Sequence, residues 1–152
     1  MTSKDLVLDA MRRQGKTAAL SVQAQASNMT GTELNAEDGY IPDFQAAKAV
    51  KNMLNRSAGF VCKSSEGRVV KLLQPYDSDI YTDEPEFLPA QWGFVWSTDP
   101  VKAKPFVAMA TSPYNTGDCC TENDVVYRSK IDNNVWAPNT YPAGWAEVKD
   151  GE

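Results

Sequence analysis

One short pattern occurs twice in this chain, and a chain that repeats itself at this scale is assembled from small units rather than from one large layered domain. The first copy is Pro85-Glu86-Phe87-Leu88-Pro89-Ala90-Gln91-Trp92-Gly93-Phe94-Val95. The second is Pro138-Asn139-Thr140-Tyr141-Pro142-Ala143-Gly144-Trp145-Ala146-Glu147-Val148. Both read Pro-x3-Pro-Ala-x-Trp-x2-Val. The parallel extends upstream, where Gly59-Phe60-Val61-Cys62 matches Gly117-Asp118-Cys119-Cys120 and Val69-Val70 is set against Val125-Val126.

Each copy carries a hairpin signal. In the first, Phe60 to Lys63 and Arg68 to Gln74 flank the turn Ser64-Ser65-Glu66-Gly67; in the second, Gly117 to Glu122 and Val125 to Lys130 flank Asn123-Asp124. Asn and Asp tolerate the left-handed backbone that a two-residue hairpin turn demands. A proline-bearing loop follows each hairpin and stays outside the ladder, because proline donates no hydrogen bond. The expected unit is two paired strands, a stiff loop and a short third strand. Such a unit has little core of its own. Trp92 and Trp145, at the matched closing position, are read as core, and Tyr127 and Tyr114 as supports of the fold.

The stretch before residue 58 has a different character. Only Tyr40 and Phe44 among the aromatic residues, and only Pro42 among the prolines, precede residue 60. A helix is expected over Lys4 to Arg13, capped by Ser3 and stopped at Gly15. Lys16 to Ala26 fits helix or extended chain, and Asn28 to Gly39 reads as polar turns. A second helix is expected from Pro42-Asp43 to about Arg56, with the stripe Phe44, Ala47, Val50, Met53 and Leu54. The fold class expected is therefore α+β: an N-terminal helical segment (1–57) followed by two small antiparallel β-rich repeats (58–100 and 106–152).

Composition narrows the function. The 152 residues include 15 basic and 20 acidic ones, a net charge of −5, which disfavours a nucleic-acid partner because phosphate binding needs a basic stripe. No apolar run approaches a membrane span, and the start shows no apolar signal region. There is no histidine, so the commonest catalytic base is missing, and a non-enzymatic protein is expected. The acidic residues Asp77, Asp79, Asp83 and Glu84 share one loop, but a charge-rich loop is ordinarily a solvated one. They also lack the ligand spacing of a calcium loop. No metal or cofactor is expected. Cys62, Cys119 and Cys120 make a poor disulfide framework. They are read as buried thiols, with a Cys62–Cys120 bridge between equivalent sites as the alternative.

The second copy resembles the small carbohydrate-binding module of the chitin-binding type (families 5 and 12) over about residues 114 to 148. The resemblance rests on Tyr114-Asn115-Thr116-Gly117-Asp118-Cys119-Cys120, Val126-Tyr127-Arg128-Ser129, Asn133-Asn134-Val135-Trp136-Ala137-Pro138 and Trp145-Ala146-Glu147-Val148. Cys120 stands where the family usually has Val, and Asn123-Asp124 replaces the usual turn Gly. The first copy is a degenerate relative that keeps the closing pattern and lacks the Tyr-x2-Gly-Asp opening. The stretch Tyr127 to Trp136 is also similar to small proteins of the tail-fibre region of phages and prophages of Gram-positive bacteria.

These resemblances imply a virion component, assembled in the host cytoplasm, of the tail, baseplate or fibre. Its partners would be other tail proteins, copies of itself, or cell-wall polysaccharide. Flat aromatic rings bind sugar faces and polar side chains orient the hydroxyls. The candidates are Trp136, then Tyr141, then Tyr76 and Tyr81 in the first copy, with Asp132, Asn133 and Asn134 as polar partners. The competing reading has Trp136 packing on its own hairpin or on the first copy. Trp96 is placed either between the copies or against an assembly partner. Two rival functions remain: a purely structural virion protein whose repeats contact other proteins, and a fibre assembly factor absent from the finished particle.

Overall fold

A computed structural model of the chain describes residues 2–149. Three helices precede seven short strands in two sheets, an α+β architecture. The ends of the third expected segment, residues 150–152, lie outside the described residues.

Helix α1 spans Ser3–Gln25. It is capped by Thr2 and not by Ser3: the Thr2 hydroxyl accepts from the Asp5 N–H while the Asp5 carboxylate accepts from the Thr2 N–H, a reciprocal capping box. Gly15 does not stop the helix. An interior glycine costs about 1 kcal/mol against alanine, and the alanine-rich run after it, with Val22 and Ala26 buried, carries the helix onward. The turn-prone stretch also holds a helix, α2 (Gly31–Ala36), capped by a second box between Thr30 and Glu33. Helix α3 covers only Phe44–Val50, and Met53–Asn55 forms a separate 3₁₀ turn. Phe44, Ala47 and Met53 are buried as the stripe predicts, whereas Val50 and Leu54 are exposed because the helix ends before the stripe completes another turn. Among the described residues no helix is long and apolar enough to cross a membrane.

The first sheet is β1 (Val61–Lys63), β2 (Val69–Leu72) and β3 (Trp92–Phe94), all antiparallel in that order. The second contains β4 (Lys104–Pro105), β5 (Cys119–Glu122), β6 (Val125–Ser129) and β7 (Trp145–Glu147). It is mixed rather than purely antiparallel, because β4 joins its edge parallel to β5. The repeat is structural as well as textual: β5, β6 and β7 pair as β1, β2 and β3 do. Gly59 and Gly117 both adopt left-handed backbone, φ 96° and 97°. Each N–H donates to the carbonyl of the last residue of the hairpin's second strand, Leu72 of β2 and Ser129 of β6 respectively. The hairpins differ by one residue. Val69 pairs with Lys63 and Val126 with Thr121, so Val69 corresponds to Val126 and not to Val125. The first copy turns through Ser65-Glu66-Gly67, with Gly67 at φ 81°; the second turns through Asn123-Asp124, at φ 51° and 65°.

Alternation of side chains across the first sheet makes two cores. Val61 and Val69 point to one face, where Val22 of α1, Ala26 just after it, Leu34 of α2 and Ile41 cover them. The edge of β1 is closed by a side chain that imitates a strand. The Gln23 amide donates to the Val61 carbonyl and its oxygen accepts from the Val61 N–H. Cys62, Val70, Leu72, Trp92 and Phe94 point to the other face and join Phe44, Met53, Tyr114, Cys120 and Trp145 in one cluster that runs through both copies.

Trp96 seals that junction. Its ring stacks on Tyr114 at 4.2 Å between centroids and on Phe94 at 5.6 Å. Its indole N–H donates to the Ser112 carbonyl. Phe106 continues the stack beyond Tyr114 and meets Trp145 edge-on. A buried ion pair adds a second link: Arg68 bonds Glu86 at 3.0 Å and donates to the Pro105 carbonyl of β4. The three cysteines are free and buried. Cys62 and Cys120 both lie in the shared core as free thiols, not as a bridge, and Cys119 faces the other way, with Sγ 3.7 Å from the Thr98 carbonyl.

Candidate functional site

The loop between β6 and β7 is built on one side chain. Asn134 is wholly buried and holds three strands of chain at once. Its backbone exchanges both hydrogen bonds with Tyr114. Its amide N–H₂ donates to the Ser129 hydroxyl and the Gly144 carbonyl, and its amide oxygen accepts from the Trp136 N–H. Asn134 is thus the scaffold of the site and not a sugar-facing group. Asn133, next to it, takes left-handed backbone at φ 56° and donates its N–H to the Asn115 side chain.

The two closing tryptophans are satisfied differently, and the difference creates the site. Trp92 donates its indole N–H to the Tyr76 hydroxyl. Trp145 donates to the backbone carbonyl of Trp136, at 2.7 Å. In the first copy a tyrosine side chain is therefore consumed inside the core: Tyr76 is buried and meets Trp92 edge-on. Its ring is not offered to solvent as the sequence reading expected. In the second copy the main chain does that work, and Trp136 is left 47 % exposed.

Tyr141 stands beside Trp136 with ring centroids 5.6 Å apart and planes at 73°, forming an open corner. Gly144 is what allows Tyr141 to lie there: a Cβ at that position would be 2.9 Å from Tyr141 Cδ2 and 3.2 Å from the Asn134 amide nitrogen. The corner is the inner wall of a cleft of about 550 Å³ lined by Ile131, Asp132, Asn133, Trp136, Thr140 and Tyr141. Four of the expected residues (Trp136, Tyr141, Asp132 and Asn133) therefore meet in one place. Tyr81 is exposed but belongs to the other copy and lies outside this cleft.

The rim is polar and partly pre-set. Asp132 accepts from the Thr116 N–H at 3.0 Å, and its bonds to Thr116 hold its carboxyl below the usual aspartate range, so it is ionised at neutral pH. Asp118 accepts from the Asn115 N–H, and burial raises its pKa. The Thr116–Asp132 and Asn133–Asn115 bonds tie the 115–118 turn to the 132–133 turn. Asn133 is exposed at this rim.

The acidic loop of the first copy is a joint. Asn52 donates to Asp77 at 2.9 Å and to Asp79 at 3.1 Å, and Glu84 accepts from the Ser65 N–H and from Gln45. The contact with Asn52 keeps the Asp77 pKa low.

Three contributors were missed from the sequence. Ile131 and Thr140 complete the cleft, and Gly144 seats Tyr141. A signal for the last was present: the first copy has Gln91 and Leu88 where the second has Gly144 and Tyr141, two of the variable positions between the fixed Pro, Ala and Trp. Trp92, Trp145 and Tyr114 are buried, and Tyr127 packs half-buried against the same core. Comparison with protein-family models, with curated proteins and with solved structures finds no match for this chain.

Proposed function

We propose that this chain is a non-enzymatic component of a phage tail, baseplate or fibre, and that its second repeat binds host-surface polysaccharide in the Trp136–Tyr141 cleft. The observation that carries the binding reading is the exposed indole of Trp136, set at an open angle to Tyr141 above a rim of Asp132, Asn133 and Thr140. A pyranose face laid on the indole buries apolar area, and its equatorial hydroxyls then point toward the rim. The Asn134 network fixes the loop before ligand arrives, so little ordering cost opposes binding. The virion setting rests on the resemblance of residues 127–136 to tail-fibre-region proteins. The binding reading over a catalytic one rests on the absence of histidine and on the structural use of the acidic loop.

A single shallow site of this size binds weakly, and many copies on one particle make it effective through avidity. The test is depletion of the purified protein by insoluble polysaccharides and by host cell wall, with Trp136→Ala alongside. That substitution removes the ring while the backbone carbonyl remains to accept from Trp145, so the fold is retained. Binding by the wild type and its loss in the variant support the reading. A folded wild type that binds nothing, even displayed on beads, defeats it in favour of a purely structural virion part.

A further inference from the structure

The front half of α1 has no cover. Leu8, Met11, Gly15, Ala18 and Val22 recur at alternating spacings of three and four and so form one stripe down the helix. From Ala18 onward the stripe is packed on the body, with Val22 buried. Toward the N-terminus it continues bare: Leu8 is 40 % and Met11 62 % exposed, and Val7 on its edge is more than half exposed. The front half alone is of the length at which a lone helix is marginal in water, so covering its stripe would stabilise it.

The flanks of the stripe say which partner. One side carries Asp5, Asp9, Arg12 and Lys16, in the order acid, acid, base, base. The other side carries Val7, Gln14 and Ser21, with no charge. Two parallel copies would set the charged flank of one against the uncharged flank of the other. Reversing one copy brings charged flank to charged flank. Asp5 then faces Lys16 of the second copy, and Asp9 faces Arg12. Asp9 also holds Arg13 in its own helix at 2.6 Å, which leaves Arg12 without an intrahelical partner. A groove continues the interface where the partner's first turn would arrive. It is about 580 Å³, largely apolar, and lined by Gly15, Ala19, Leu20, Tyr40, Pro42 and Phe60. Nothing stands within 4 Å of a Cβ built at Gly15, so another helix can approach closely there.

We infer that the chain forms an antiparallel two-fold dimer through residues 4–20 of α1, with Met11 near the axis and the first turn of each helix seated in the groove beside Gly15 and Tyr40 of the other copy. A self-complementary patch of this kind closes as a dimer and does not propagate. The dimer stands independently of the glycan reading and brings two copies of the chain into one unit.

Sedimentation equilibrium of the full chain gives twice the chain mass for the wild type and the single-chain mass for Leu8→Glu/Met11→Glu. Both positions are solvent-exposed in the single chain, so the variant keeps its fold, checked by an unchanged near-ultraviolet spectrum. Orientation is read from single added cysteines under mild oxidation. Met11→Cys cross-links across the axis. Lys4→Cys does not, because antiparallel helices place the two copies of residue 4 about 20 Å apart, far beyond the roughly 7 Å a disulfide spans. A monomeric wild type, a trimer, a double variant that stays dimeric, or cross-linking through Lys4→Cys as readily as through Met11→Cys overturns the inference.

Discussion

The backbone of Gly144 supports the ring of Tyr141 so closely that a single added carbon would stand 2.9 Å from Tyr141 Cδ2. The first repeat cannot make this corner, since Gln91 and Leu88 fill the two positions and Leu88 packs inward against the core. Gly144→Ala is therefore expected to displace Tyr141 and press on buried Asn134. Overpacking of this kind costs about 1–3 kcal/mol. Thermal unfolding will show a modest loss of stability, and polysaccharide binding will fall well beyond what the unfolded fraction explains.

Trp96 joins the two repeats through its stacks on Phe94 and Tyr114. Removing a buried indole of this kind costs about 3–5 kcal/mol. Trp96→Ala is expected to lower the urea midpoint strongly, and the wild type to unfold in one transition because both sheets share one core. A loss below about 1 kcal/mol would show that the repeats are held together elsewhere.

The thiols are shielded. Burial pushes Cys120 up to about 12 and raises Cys62 and Cys119 as well. Since the thiolate is the reactive form, native protein at neutral pH should leave all three unmodified by a thiol reagent over minutes. Denatured protein should then titrate three thiols, without a reductant. A missing pair would mean a disulfide.

Asp132 gives a pH signature. Its folded pKa lies below the ordinary value of 3.8, so its contribution to stability is fully present above that value. The contribution disappears as pH falls through the folded pKa. In Asp132→Asn the amide oxygen still accepts from Thr116, but nothing titrates. The stability difference between wild type and variant should be constant from pH 7 to about 5 and shrink only in strong acid. Asp118 is raised first by burial and last by the Asp132 charge, so it acts in the opposite sense, and the variant removes only that last, smallest push.

The hairpins, the closing strands and the equivalence of Cys62 with Cys120 were legible because strand pairing writes period-two patterns and turns demand particular residues. Other features were set by competition that a local reading does not weigh. Gly15 looked like a helix stop, yet the Thr2–Asp5 box on one side and the buried Val22 and Ala26 on the other outweigh it. The Thr30–Glu33 box was present in the sequence and lost among polar neighbours. Tyr76 and Tyr141 look alike as loop tyrosines, and only the partner chosen by each closing tryptophan separates them: Tyr76 for Trp92, the Trp136 carbonyl for Trp145. Parallel pairing of β4 with β5 leaves almost no trace in a two-residue strand.

The central claim is that the Trp136–Tyr141 corner binds a sugar face. The most direct measurement is a depletion isotherm on purified host cell-wall polysaccharide, comparing wild type, Trp136→Ala and Tyr81→Ala at matched folded concentration. The account predicts that wild type and Tyr81→Ala bind alike and that Trp136→Ala loses at least tenfold in affinity, about 1.4 kcal/mol or more. Equal binding by all three proteins would contradict it.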